Sequence, residues 1–309
     1  MIKSYPYTIL FLLVFSFHSF AQELKLFTVN DFELNGNVKK CTVITDYGKE
    51  VFEFNEQGFL VKSTTAYNDV DQDITTYKYN NGFLLEKRME SYKDNILDKA
   101  SSMANFYEID TTKQKIIKEQ IISYDKEFVE QQEFIFGEED RIFKITTSHE
   151  NAVDETRIEY TTFKNEVTKS VFVNGIIEKS VRTSSKVSKL KGEQKIVLTK
   201  EFLDGEPNKA IEQRFDLNDN LVYEELFLTD ITTGGFTSEE IHLFEYNDDG
   251  VLQKEVIKKG NSIAEKEFIF QFDDNLDKNW VKKIVTPDNT YTTRIIEYYP
   301  SLEVEEQPE

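Results

Sequence analysis

The chain has 309 residues, with 57 acidic against 37 basic side chains and a formal net charge of −20. That balance argues against nucleic acid and anionic membrane surfaces as partners, since both attract Lys and Arg. A single cysteine excludes an intramolecular disulfide framework, and a chain this long can bury roughly three quarters of its unfolded surface without one.

Met1 to Gln22 reads MIKSYPYTILFLLVFSFHSFAQ. Lys3 gives a positive start, Thr8 to Phe17 is an apolar stretch, and Ser19-Phe20-Ala21 places small residues where a signal peptidase reads. Residues 1–21 are therefore expected to be a signal peptide, cleaved on export to the periplasm, the cell surface or the medium. The apolar stretch is far shorter than the ~20 residues of a spanning helix. No later run of that length follows, so the mature chain is expected to make no stable membrane insertion.

From residue 22 to 300 one unit recurs. Two aromatic or apolar residues at i and i+2 lead into an Asn/Asp-rich turn, and an alternating strand returns. It reads FEFNEQGFLVK at Phe52 to Lys62, YKYNNGFLLEK at Tyr77 to Lys87 and FIFGEEDRIFK at Phe134 to Lys144. It continues as QRFDLNDNLVYEE at Gln213 to Glu225, FEYNDDGVLQK at Phe244 to Lys254 and FQFDDNLDKNWVKK at Phe270 to Lys283, with a weaker copy from Arg157 to Lys169. Two gaps are about twice the others, and degenerate copies around Tyr107 and Val187 fill them, giving about nine units.

Each unit predicts a β-hairpin. Alternation puts Phe268, Phe270 and Phe272 on one face and Glu267, Ile269 and Gln271 on the other. The turns carry the Asn and Gly that tolerate positive φ, and the strands are rich in Phe, Tyr, Ile, Val and Thr. The expected fold is all-β: tandem hairpins in a long antiparallel meander that coils as a spiral, a sandwich or an open barrel, because a flat sheet of some eighteen strands would be unusual. Arg182 to Gly192, rich in Ser and Lys, is the one expected flexible joint or long loop. Residues 301–309 are expected to be an acidic disordered tail.

The residues that carry chemistry are sparse. Cys41 alternates with Val43 in VKKCTVIT and reads as a buried apolar thiol with no base in view. Of the two histidines past the signal peptide, His242 falls in the aromatic register of its unit and reads as a packed side chain. His149 lies in an exposed connection, and with no second histidine beside it a zinc site lacks its preferred ligands. The acidic runs at Asp69-Val70-Asp71-Gln72-Asp73, Asp216 to Asn220 and Asp273 to Asp277 begin like calcium loops. They lack the glycine and the bidentate glutamate that would complete one, and Asn and Asp are favoured in turns for conformation alone. Trp280 and the aromatic stripes fit a core better than a sugar platform. The basic residues Arg182, Lys186, Lys189, Lys191 and Lys195 are the one local reversal of charge, a solvated loop or a dock for an acidic partner. No catalytic, cofactor-binding or metal-binding residue is identified.

The aromatic, Asn/Asp, two-residue, Gly, hydrophobic unit resembles the YD (RHS-type) repeat, Tyr-Asp-x-x-Gly-Asn/Arg-Leu, of short secreted bacterial proteins. The resemblance spans roughly Leu34 to Tyr299. It departs from the motif at Asn55, Asn80 and Asn247, where Asn replaces Asp, and at Asn220, where Asn replaces Gly. It implies a β-rich shell or scaffold. The expected function is thus a non-enzymatic, exported binding or scaffold module for a protein or a glycan. The alternatives are a secreted carboxylate-dependent hydrolase and a passive envelope or shell component.

Overall fold

The computed structural model describes residues 26–125, 127–188, 192–230 and 232–300, so the expected signal peptide and acidic tail lie outside the described residues. Twenty strands follow one another along them. The first ten are β1 (Val38–Thr45), β2 (Gly48–Phe54), β3 (Leu60–Ala66), β4 (Gln72–Asn80), β5 (Phe83–Lys93), β6 (Ile96–Asp110), β7 (Ile116–Ser123), β8 (Phe128–Phe136), β9 (Ile142–Ser148) and β10 (Val153–Phe163). The rest are β11 (Glu166–Val173), β12 (Ile176–Ser188), β13 (Gly192–Leu203), β14 (Glu206–Phe215), β15 (Leu221–Thr229), β16 (Phe236–Tyr246), β17 (Leu252–Lys259), β18 (Ser262–Phe272), β19 (Trp280–Thr286) and β20 (Thr290–Tyr298).

Every strand pairs antiparallel with the next, and β1 also pairs with β20, from Val38 opposite Tyr298 to Ile44 opposite Thr293. The meander is therefore a closed barrel, and closure removes the two edges that an open sheet would expose. This corrects two expectations. The sheet is neither a spiral nor a sandwich, and the YD-type resemblance does not hold, because the units are parts of one closed ring rather than a coiled repeat shell. The expected joint at Arg182 to Gly192 is also corrected in its described part, residues 189–191 lying outside the described residues. There β12 and β13 stay paired in register from Lys179–Glu201 out to Ser188–Gly192.

The units occupy the hairpins β2–β3, β4–β5 and so on to β18–β19, whose turns all lie on the rim that also bears both ends of the described chain, here the proximal rim. Their turn chemistry has a local cause. The Asn55 side-chain oxygen accepts the N–H groups of Gln57 and Phe59, and Asn247 repeats this with Asp249 and Val251. Asp216 does so with Asn218 and Asn220. The residue three places on, Gly58 or Gly250, sits at φ 80° or 77°, which glycine adopts without strain. Beside six of these nine turns the register slips by one residue, between Glu53 and Phe54, Lys78 and Tyr79, Ile135 and Phe136, Arg214 and Phe215, Glu245 and Tyr246, and Gln271 and Phe272. In those units the second aromatic marks a β-bulge, which sharpens the twist where the wall meets the rim.

Along the strands alternate residues are the less exposed ones, as in β7 (Ile117, Glu119 against Lys118, Gln120) and β10 (Thr156, Ile158 against Glu155, Arg157). These face inward, where a concave wall crowds side chains. Two inner clusters form the core. One joins Tyr107, Ile117, Phe134, Phe136, Ile142, Ile145 and Ile158 across β6 to β10. The other joins Leu34, Val38, Cys41, Phe54 and Leu60 around the seam. Each draws on neighbouring strands of one wall and neither bridges the barrel. The interior of a ring this size, between the 16–18 and 22 strands of known wide barrels, has room for water.

Candidate functional site

The inner wall carries charge as well as aromatics. On β16 and β17 the His242 imidazole lies between two carboxylates, Nδ1 at 2.6 Å from Glu255 and Nε2 at 2.8 Å from Glu240, with its ring stacked on Phe244. Burial alone pushes the His242 pKa down, but the bonds to Glu255 and Glu240 outweigh it and the net shift is upward. Lys259 and Lys266 close the ladder on Glu240 and Glu255. On the opposite wall the buried Glu119 carboxylate accepts from Asn105 at 2.6 Å and Tyr107 at 2.7 Å, and burial lowers the pKa of the neighbouring Lys87.

At the proximal rim the segment from Leu26 to Asn37 lies across the seam. Phe32 packs on Phe52, ring centres 4.4 Å apart, and Leu60 N–H donates to the Phe27 carbonyl. On the other flank Asn35 and Asn279 exchange two hydrogen bonds, at 2.7 and 2.8 Å. Arg294 stacks over Trp280 at 3.4 Å and donates to the carbonyls of Phe32 and Glu33. One strap thus holds β2–β3 and β19–β20 together across β1. Next to it a cavity of about 410 Å³ opens between Leu26, Phe83, Leu84, Ile109, Ile117, Phe136, Ile142 and Tyr160, with Lys115, Asp140 and Arg141 at its mouth. Lys115 is paired to Asp140 at 2.6 Å, so the mouth holds a closed ion pair.

The opposite, distal rim differs in charge. Its connections contain Asp46, Asp69, Asp71, Asp94, Asp125, Glu127, Glu150, Asp204, Asp230 and Asp288 against a single basic residue in the sequence, Lys126. The proximal connections mix both signs, with Lys113, Lys115, Arg141, Lys164 and Lys278 among their acids. Large apolar side chains also stand exposed along the distal rim, including Tyr47, Tyr67, Ile96, Phe128, Val153, Ile176, Leu203 and Ile263.

The residues singled out in the sequence are not brought together. Cys41 is buried, and burial raises its thiol pKa, as its alternation with Val43 suggested. His242 faces inward in the aromatic register beside Glu240, its same-face neighbour two places back on β16, whereas Glu255 lies on β17 and was not legible. His149 is 3.5 Å from Glu130 and 3.6 Å from Asp154 in the connection between β9 and β10. The Asp216 and Asp273 carboxylates are occupied by backbone N–H groups of their own turns. Among the described residues no group of three or more His, Cys, Asp or Glu is placed to hold a metal ion. Trp280 is buried under Arg294 and donates to Glu33, so it offers no sugar platform. The basic group is divided: Arg182 faces Glu166, Lys195 pairs with Asp219, and Lys189 and Lys191 lie outside the described residues. No hydrogen bond among the described residues joins a Ser, Thr or Cys to a histidine, the pairing a nucleophile would use.

Among the described residues no helix is long and apolar enough to cross a membrane, which says nothing of strands. No family model matches the chain, and no curated protein does. Solved structures similar to it include a porin-like protein from Bacteroides vulgatus, with 10% identity, 86% of this chain and 100% of that chain covered, and a TM-score of 0.25. A porin-like protein from Bacteroides uniformis has 8% identity over 84% of this chain and 96% of that chain, with a TM-score of 0.33. The matches are to porin-like proteins rather than to a YD-repeat shell. At these values neither superposition carries the closed barrel described above, which rests on its own strand pairing.

Proposed function

We propose that this chain is an exported, non-enzymatic envelope protein: a hollow β-barrel wetted on both sides of its wall, which receives a protein or glycan partner. The observation that supports it is the charge carried within the strands on both faces of the wall. Outside, Glu53 and Lys62, Lys78 and Glu86, Lys118 and Glu133, Lys144 and Glu155, and Arg214 and Glu212 pair between or along strands. A barrel standing in lipid presents an apolar outer band about 25 Å tall, and each Lys or Arg at its midplane costs about 2–4 kcal/mol. Among the described residues the outer wall offers no such band.

Residues 22–309, purified without detergent, are expected to stay in solution and not to float with phosphatidylcholine vesicles. Flotation would overturn the water-exposed reading. Immobilised on a resin, the same chain is expected to retain a saturable envelope protein or soluble glycan. The second reading is a pore, which the closed ring of twenty strands favours because barrels of this size leave an aqueous channel. Discrete conductance steps in a planar bilayer would establish the pore in place of the first reading.

A further inference from the structure

We infer that the cavity at the proximal rim is a binding site for a small, uncharged molecule with an apolar body. This ligand is distinct from the partner proposed above, and the inference holds whatever the outer wall meets, because inner-face residues build the cavity. Leu84, Ile109, Ile117, Phe136, Ile142 and Tyr160, from the six consecutive strands β5 to β10, converge on it. The register sets them on one face, with Leu84 opposite Tyr79, Ile109 opposite Ile117 and Phe136 opposite Ile142. Apolar side chains exposed singly, as Ile96 and Phe163 are on the two rims, need no occupant. A concavity of about 410 Å³ is a different case. Small-molecule sites span about 300–1,000 Å³ and are lined mostly by apolar and aromatic side chains. Covering this lining with an apolar ligand removes it from water, which favours binding.

The mouth selects against a charged occupant. Lys115 pairs with Asp140 and Arg141 with Glu139, each at 2.6 Å. Both cations also lie over lining rings, Lys115 at 4.3 Å from the centre of Phe136 and Arg141 at 5.2 Å from that of Tyr160. The Tyr160 hydroxyl is spent on the Ile142 carbonyl, at 3.2 Å. A ligand carboxylate would have to displace Asp140 or Glu139 from a turn whose third acid, Glu138, repels it as well. A ligand ammonium would compete with Lys115 and Arg141 for the same carboxylates. An uncharged head disturbs neither pair, and it avoids the cost of burying a charge without a partner. Leu26, at the start of the strap, forms one side of the cavity.

The test titrates N-phenyl-1-naphthylamine, an uncharged dye that brightens in apolar surroundings, into residues 22–309. Octanol, octanoate and octylammonium, which share one apolar body, then compete with it. One saturable site is expected, and octanol should displace the dye at a concentration about tenfold or more below that of either ion. Leu84→Trp and Ile109→Phe enlarge half-buried side chains of the lining. Each should weaken dye binding about tenfold and keep the denaturation midpoint close to that of the wild type. Phe163→Ser removes a ring that is 69% exposed on the same rim but outside the cavity. It should change binding about twofold or less. Dye binding untouched by both enlarged side chains, or weakened as much by Phe163→Ser, would overturn the site. Equal displacement by the three competitors would overturn the choice of an uncharged ligand. No saturable rise with residues 22–309 would overturn the proposal outright. A rise seen only after residues 22–25 are removed would do the same, giving the cavity to the chain's own residues before Leu26.

Discussion

The Tyr79 hydroxyl donates to the Leu60 carbonyl at 2.7 Å and ties one hairpin to the one before it. Tyr160 reaches Ile142 and Tyr246 reaches Leu221 in the same way, at 3.2 and 2.9 Å. In each case the donor is the second aromatic of its unit, and the acceptor is the first residue of the preceding return strand, beside that unit's bulge. A bulge interrupts the ladder, and the tyrosine supplies a partner there. Tyr79→Phe should therefore lower stability by about 1 kcal/mol without opening the ring, the net worth of one hydrogen bond. Chemical denaturation measures it, and an unchanged midpoint would show that the contact is incidental.

The inner cluster predicts an asymmetry between the faces of the wall. Phe134 is fully buried, whereas Ile295 on the outer face is 55% exposed. Phe134→Ala should cost about 3–5 kcal/mol through lost burial and a cavity, while Ile295→Ala should stay within about 0.5 kcal/mol. Comparable losses at both sites would mean that the outer face is covered in solution.

His242 predicts a pH dependence with a definite sign. Two ring nitrogens facing two carboxylates need two N–H donors, which only the protonated ring supplies. Its folded pKa is raised above 6.5 because the bonds to Glu255 and Glu240 outweigh burial. The stabilisation is therefore complete below the unfolded value and is lost as pH rises through the folded one. Glu224 on β15, directly opposite His242, adds a third carboxylate, while Lys259 and Lys266 hold Glu240 and Glu255. Denaturation midpoints should fall from about pH 6 to 9, and the fall should be shallower in His242→Gln. Parallel profiles for the two proteins would contradict the charged ring.

Cys41 predicts a chemical outcome. Its thiol is 1% exposed beneath the strap, and burial raises its pKa, opposed by the nearby Arg294. A maleimide should label it slowly in the native protein and rapidly in denaturant, since the thiolate is the reactive form. Deleting Leu26 to Asn37 should speed native labelling. Fast labelling of the intact chain would mean that the strap is undocked.

The sequence by itself determined the class of structure and its period. Alternation at Phe268 to Phe272 and the Asn-x-x-Gly turns specify antiparallel hairpins, because both are local requirements of side-chain direction and backbone dihedral. What the sequence could not carry was closure. Val38 and Tyr298 are 260 places apart, and nothing near either residue states that their strands pair. Among the expected spiral, sandwich and open barrel, closure selected the barrel and shut it, and with it went the likeness to a YD-type repeat. The sorting of connections into two rims, by contrast, follows from the antiparallel alternation of the meander alone. The contact of His242 with Glu255 and the Arg294–Trp280 stack were hidden for a more local reason. Each depends on the register between two consecutive strands, β16–β17 or β19–β20, which neither strand states by itself.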